Sequence, residues 1–196
     1  MPQKIIIFGF PHSGTSILKS LIGHIDDVDE IYQESNIINQ FTNKKFILCK
    51  HPFTESSFFN KDYKDYIKIF IIRNPLFVFS SLNKRYNYKI LSCVSIDNYI
   101  NTIKYFIKYK NNTEQNIYTI RYEDLFDNNY QALRIILDNI GLKYDDQIFD
   151  NQKYKNIICP GTKLQNNKPS NLQHAEYRTW QINQSFISTN NVKNLD

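Results

Sequence analysis

The first residues that suggest chemistry are Pro11-His12-Ser13-Gly14-Thr15-Ser16, within the stretch FGFPHSGTSILKSLI that runs from Phe8 to Ile22. Gly9 and Gly14 have the separation of the two glycines in a nucleotide-triphosphate loop, G-x-x-x-x-G-K-[ST], but Thr15 stands where the lysine belongs. An apolar run precedes this loop and a helical pattern follows it, so it sits between a strand and a helix. Free backbone N–H groups at such a helix start face an anion, and the helix dipole favours negative charge there. Gly14 allows close approach of the backbone, while Thr15 and Ser16 offer hydroxyl donors. The plain alternative is a strand, a turn and a helix with a serine cap.

A second constellation lies in IFIIRNPLFVFSSL, Ile69 to Leu82. Arg73 emerges where a buried strand ends, Pro75 suits the first turn of a helix, and Ser81 follows Arg73 by eight positions, inside that helix. A guanidinium fork and a hydroxyl make a sound pair for a second phosphate. The alternative is an arginine paired with a surface acid. Three further polar residues stand near element ends: Glu34 in IYQESNIINQF, and Lys50 and His51 in ILCKHPF. The other histidines, His24 and His174, have no motif around them.

The elements that must position these residues can be read from periodicity. Short, unalternating, β-prone runs recur at Lys4–Gly9, Lys45–Lys50, Ile67–Ile72 and Ile117–Arg121, the pattern of strands buried on both faces of a parallel sheet. Helical patterns lie at Ser13–Ile25, Pro75–Tyr86 and Ile96–Tyr109. In the last of these, Ile96, Tyr99, Ile100, Ile103, Phe106 and Ile107 mark one face. A further helix starts near Asp127 as its cap, carries Leu133, Ile136, Leu137 and Ile140, and stops at Gly141. Strands alternating with helices predict a single-domain, three-layer α/β fold with a central parallel sheet, of the P-loop NTPase-like kind. Ligands bind in such sheets at the carboxyl ends of the strands, where both constellations lie. The pattern fades past Tyr144, and the segment 145–196 is polar. Within it Gly161-Thr162-Lys163 and Tyr177-Arg178 are the basic pieces and Trp180 is an anchor.

Composition narrows the function. The 196 residues, 41% hydrophobic and 15% aromatic, suffice for one substantial core. The net charge of +5 suits an anionic ligand, but the lysines form no block, so the sequence gives no support to nucleic-acid binding. Cys49, Cys93 and Cys159 are odd in number and lack C-x-x-C spacing, which argues against a disulfide framework and a zinc site. No signal peptide or membrane segment is visible, so the expected location is cytoplasmic, with no membrane partner.

Taken together, the two constellations resemble the sulfotransferase family, whose donor is 3'-phosphoadenosine 5'-phosphosulfate (PAPS). In that family a loop of the form P-[KR]-S-G-T-[TS] cradles the 5'-phosphosulfate. An Arg–Ser pair with the same offset as Arg73 and Ser81 holds the 3'-phosphate. The segment TIRYEDL, Thr119 to Leu125, also looks like the family's fourth-strand signature. The resemblance runs in order over about residues 4–142. It implies that Pro11, His12, Ser13, Gly14, Thr15, Ser16, Arg73 and Ser81 bind the donor, and that adenosine 3',5'-bisphosphate is a product. It also accounts for the missing lysine, since that residue serves β- and γ-phosphates and a phosphosulfate has neither.

The resemblance further implies catalytic roles. His12 replaces the Lys or Arg that assists the bridging oxygen, a task open to a protonated imidazole held beside an anion. Lys50 reaches the transferred sulfuryl group. The base on the acceptor is Glu34 or His51. No metal is required. The acceptor, a small molecule, carbohydrate or peptide with a hydroxyl or amine, lies beyond these motifs, because one fold serves many acceptors. Two rival readings stand beside this one: a nucleotide or nucleoside kinase-like P-loop protein, and a non-catalytic nucleotide-binding module.

Overall fold

The computed structural model describes residues 1–86, 94–110 and 112–150, with backbone alone at 32, 33 and 84–86. Five strands, β1 (Gln3–Gly9), β2 (Val28–Glu34), β3 (Phe46–His51), β4 (Tyr66–Ile72) and β5 (Ile117–Arg121), form one sheet in the order β2-β3-β1-β4-β5. Every neighbouring pair is parallel. The α-helices are α1 (Thr15–Gly23), α2 (Pro75–Tyr86), α3 (Ile96–Lys108), α4 (Tyr122–Leu125) and α5 (Gln131–Asn139).

The central strands are covered on both faces, as their unbroken apolar runs require. Ile5 and Ile7 of β1 join Leu48, Ile69 and Ile71 in one core with Leu18 and Leu21 of α1 and Leu133 and Leu137 of α5. The alternate residues Ile6 and Phe8 join Ile47, Cys49 and Phe70 in a second core with Phe58 and Phe106. A smaller cluster of Phe10, Val78, Leu82 and Tyr99 locks α2 and α3 together above the end of β1. Burial pushes the Cys49 thiol up to about 12, so it behaves as a core residue.

The expected four-strand pattern omits β2. Its sequence VDEIYQE mixes carboxylates with apolar residues because β2 is an edge strand with one neighbour, and an edge need not be apolar throughout. Other boundaries shift. Helix α1 starts at Thr15 rather than Ser13, on a left-handed Gly14 with no side-chain cap bond. Helix α5 starts at Gln131 from a left-handed Tyr130, not from an Asp127 cap, while Leu133, Ile136 and Leu137 are buried as expected. On α3 the buried residues are Tyr99, Thr102 and Phe106, whereas Ile96, Ile100 and Ile107 are exposed. The expectations for Cys93, Cys159, Gly161-Thr162-Lys163, His174, Tyr177-Arg178 and Trp180 fall outside the described residues. Among the described residues no helix is long and apolar enough to cross a membrane.

Candidate functional site

Strand β1 ends the sheet's two directions of growth: β3 lies on one side of it and β4 on the other. The loop after β1 therefore opens between the carboxyl ends of β3 and β4, the crevice in which parallel sheets bind ligands. Two glycines make this loop. A Cβ on Gly9 would fall 2.2 Å from the Ile71 carbonyl oxygen of β4, and one on Gly14 would fall 2.4 Å from the Tyr122 ring. Gly14 also holds φ at 99°, and His12 holds φ at 66°, both in the left-handed region that L side chains seldom occupy. These two reversals turn the chain from strand to helix in a few residues. Valine at position 14 would thus strain the loop and collide with Tyr122, so that substitution tests the loop's fold as much as its binding.

Lys50 closes β3 beneath the loop. Its Nζ donates to Ser16 Oγ at 2.6 Å and lies 3.0 Å from Glu34 Oε1. The register places Glu34 at the end of β2 directly beside Lys50, and Ser35 N–H donates to the Lys50 carbonyl. Three of the sequence-predicted residues, Ser16, Lys50 and Glu34, thus form one connected group. The lysine side chain is 5% exposed and the glutamate side chain 34%, so the glutamate is the more open of the two. Ser13 is fully buried and its Oγ has no hydrogen-bond partner. Thr15 is buried at the start of α1.

His51 follows Lys50 on the strand and so turns to the other face of the sheet. Its Nε2 lies 2.7 Å from Glu55 Oε1, and the Phe53 and Phe58 ring centroids are each 5.6 Å away. Burial among these rings lowers its pKa from 6.5, and Glu55 opposes that shift. The contacts of His51 therefore lie apart from Ser16, Lys50 and Glu34.

Across the crevice, β4 ends at Ile72 and presents Arg73. Its guanidinium lies 4.2 Å from the Tyr122 ring centroid and 5.6 Å from that of Phe77, and its Nη1 points to the His12 carbonyl at 3.5 Å. Its Nε is buried without a hydrogen-bond partner. Among the described residues no carboxylate comes within ion-pair distance of Arg73. Around it, the Tyr99 hydroxyl donates to the Arg73 carbonyl at 2.5 Å, and Asn74 N–H donates to Glu123 Oε1 at 2.6 Å. Pro75 is the first residue of α2, as its fixed φ favours. Ser81, farther along α2, shares a 2.6 Å hydrogen bond with His12 Nδ1.

A residue of the crevice that the loop motifs left out is Tyr122. It occurs in the segment TIRYEDL, but only the folded chain shows its ring wedged between Gly14 and Arg73. Among the described residues no group of three or more His, Cys, Asp or Glu is arranged to hold a metal ion. Chemically, the crevice offers a helix start, hydroxyls and Lys50 on one side and an aromatic-backed guanidinium on the other. Donors of these kinds can meet anionic groups.

No protein-family model matches this chain, and no curated protein matches it either. Among solved structures, the mouse sulfotransferase SULT7A1 complexed with PAP is similar, with a TM-score of 0.60 and 13% identity over 94% of this chain and 86% of that one. Retinol dehydratase in a complex with retinol and PAP aligns over 92% of this chain and 81% of that one, with a TM-score of 0.47 and 11% identity. Its complex with androsterone and PAP gives 0.49 and 12% over 92% and 80%. The first of these alignments spans most of both chains. This protein has the single-domain, P-loop-like α/β fold of the sulfotransferases.

Proposed function

We propose that the protein transfers a sulfuryl group from PAPS to a hydroxyl or amine acceptor. The observation that supports this reading is the pair of arms at one crevice, with Lys50 under one arm and, in the other, an Arg73 that no carboxylate among the described residues neutralises. A donor with a 5'-phosphosulfate and a 3'-phosphate needs two such places; a triphosphate needs one, with the lysine that Thr15 replaces. The unpartnered Ser13 Oγ and Arg73 Nε fit such a ligand, because buried donors without partners are costly unless something binds them.

In this reading Pro11, Ser13, Gly14, Thr15 and Ser16 hold the 5'-phosphosulfate, and Arg73 and Ser81 hold the 3'-phosphate. The donor supplies an activated sulfur. Lys50 turns from Glu34 toward the negative charge that builds on the transferred group. Glu34, released from that pair, takes the proton of the acceptor as the acceptor atom bonds to sulfur and the bond from sulfur to the bridging oxygen breaks. Adenosine 3',5'-bisphosphate leaves. Glu34 is favoured over His51 as the base because it touches the lysine that touches the loop, whereas the His51 contacts are elsewhere.

Thermal-shift titration tests the donor assignment. Adenosine 3',5'-bisphosphate at a hundred times its Kd should add about 2.7 kcal/mol of stability by mass action, with ATP and magnesium giving far less. Stabilisation by ATP with magnesium and none by the bisphosphate would make the protein a kinase-like one. Transfer of labelled sulfate from PAPS to an acceptor in a source extract then separates an enzyme from a binding module.

A further inference from the structure

His12 holds the position from which the resemblance implies a cation on the leaving group. Its side chain is engaged with the other arm. Nδ1 hydrogen-bonds Ser81 Oγ at 2.6 Å, and the His12 carbonyl receives Arg73 Nη1 at 3.5 Å. The backbone of His12 is left-handed, with φ of 66°, and its imidazole meets Ser81 on α2. Both members of the second arm thus meet one residue of the first loop. Arg73 sits just past the end of β4 and Ser81 on α2, and His12, from a separate segment, touches both. We propose that His12 is the positioning residue of the second anion arm, fixing the Ser81 hydroxyl and the Arg73 guanidinium in one arrangement before an anion arrives, rather than the cation on the transferred group.

The physical advantage is preorganisation. A serine hydroxyl on a helix rotates freely, and ordering it at the moment of binding costs affinity. A fixed imidazole partner orients the Ser81 oxygen beforehand, and the His12 carbonyl limits where the arginine fork can swing. Asparagine tolerates the left-handed backbone and carries a polar atom close to the place of Nδ1, so His12→Asn should preserve the device; alanine keeps neither property.

The proposal rests on the reading of Arg73 and Ser81 as the 3'-phosphate arm, and its test separates the two. In the unliganded protein, the NMR signals of the His12 imidazole should move when Ser81 is changed to alanine. That measurement needs no nucleotide and stands even if the donor assignment fails. In binding, the ratio of affinities for adenosine 3',5'-bisphosphate and adenosine 5'-monophosphate should fall about 10- to 100-fold in His12→Ala, the worth of a hydrogen bond to a charged group. The ratio should recover in His12→Asn. Adding Ser81→Ala to His12→Ala should change the ratio no further, because the two act as a unit. An unmoved imidazole signal in Ser81→Ala overturns the proposal, as does a His12→Ala ratio equal to wild type or multiplicative losses in the double variant. A wild type that fails to discriminate the two nucleotides overturns the donor assignment instead, and the imidazole signal then decides the positioning role alone.

Discussion

The two arms of the crevice are built on opposite electrostatic plans. In the loop arm the cation is already balanced: buried Lys50 has a carboxylate, Glu34, at 3.0 Å and a hydroxyl, Ser16, at 2.6 Å. In the second arm the cation has no carboxylate among the described residues and rests on the Tyr122 ring at 4.2 Å. A buried lysine without a partner would be costly, and its counter-charge must give way before it can act on anything else. A guanidinium over an aromatic face keeps its charge available to a ligand, since the ring holds it in place without neutralising it. In the proposed reading the loop arm takes the group that is moved, with Glu34 released as the lysine turns away, and the other arm takes the group that is only held.

The largest expected effect breaks the first half of this comparison. Glu34→Gln keeps shape and removes basicity, so turnover should fall by roughly 10²–10⁴ while the donor still binds. Measured kcat with a labelled donor is the check. If that variant turns over at the wild-type rate and His51→Ala does not, the base is His51 and the balanced pair beneath the loop is structural.

A smaller effect sharpens the second half. Arg73→Ala should cost about 1.5–3 kcal/mol in binding of adenosine 3',5'-bisphosphate, and calorimetry should show little change for adenosine 5'-monophosphate. Equal losses for both nucleotides would mean that Arg73 supports the whole crevice and not one phosphate.

The smallest effect concerns His51, which the comparison leaves outside both arms. Burial lowers its folded-state pKa below the ordinary 6.5, so between those two values the unfolded chain binds the proton more readily. Stability should consequently decline as pH falls below about 6.5, by a modest amount because Glu55 opposes the shift, and recover as pH rises. In His51→Phe, which keeps the ring packing, the denaturation midpoint should lose this part of its pH dependence. A slope unchanged by that substitution assigns the acid sensitivity to other groups.

Much of this architecture was legible in the residue order. Four of the five strands carry short, unalternating β-prone runs, and that continuity is enough to predict a parallel sheet and to put Gly9, Lys50 and Arg73 at or beside strand ends. The loop and the Arg73–Ser81 offset are local patterns, set by glycines, a proline and helical spacing. The edge strand β2 escaped because its pattern is mixed, and the exposed Ile96, Ile100 and Ile107 of α3 show that helical periodicity marks an apolar stripe without saying what covers it.

The sequence by itself determined which residues end the strands, that a glycine-bearing loop joins the first strand to its helix, and that the lysine of a triphosphate loop is missing from it. It did not determine partners. That Glu34 faces Lys50 rather than solvent follows from the register of β2 on β3, and that Lys50 and His51 part company follows from strand alternation at the end of β3. Tyr122 between Gly14 and Arg73, and His12 on Ser81, join segments far apart in the chain. Such pairings depend on strand order and packing distance. Those are properties of the folded sheet, and no window of residues contains them.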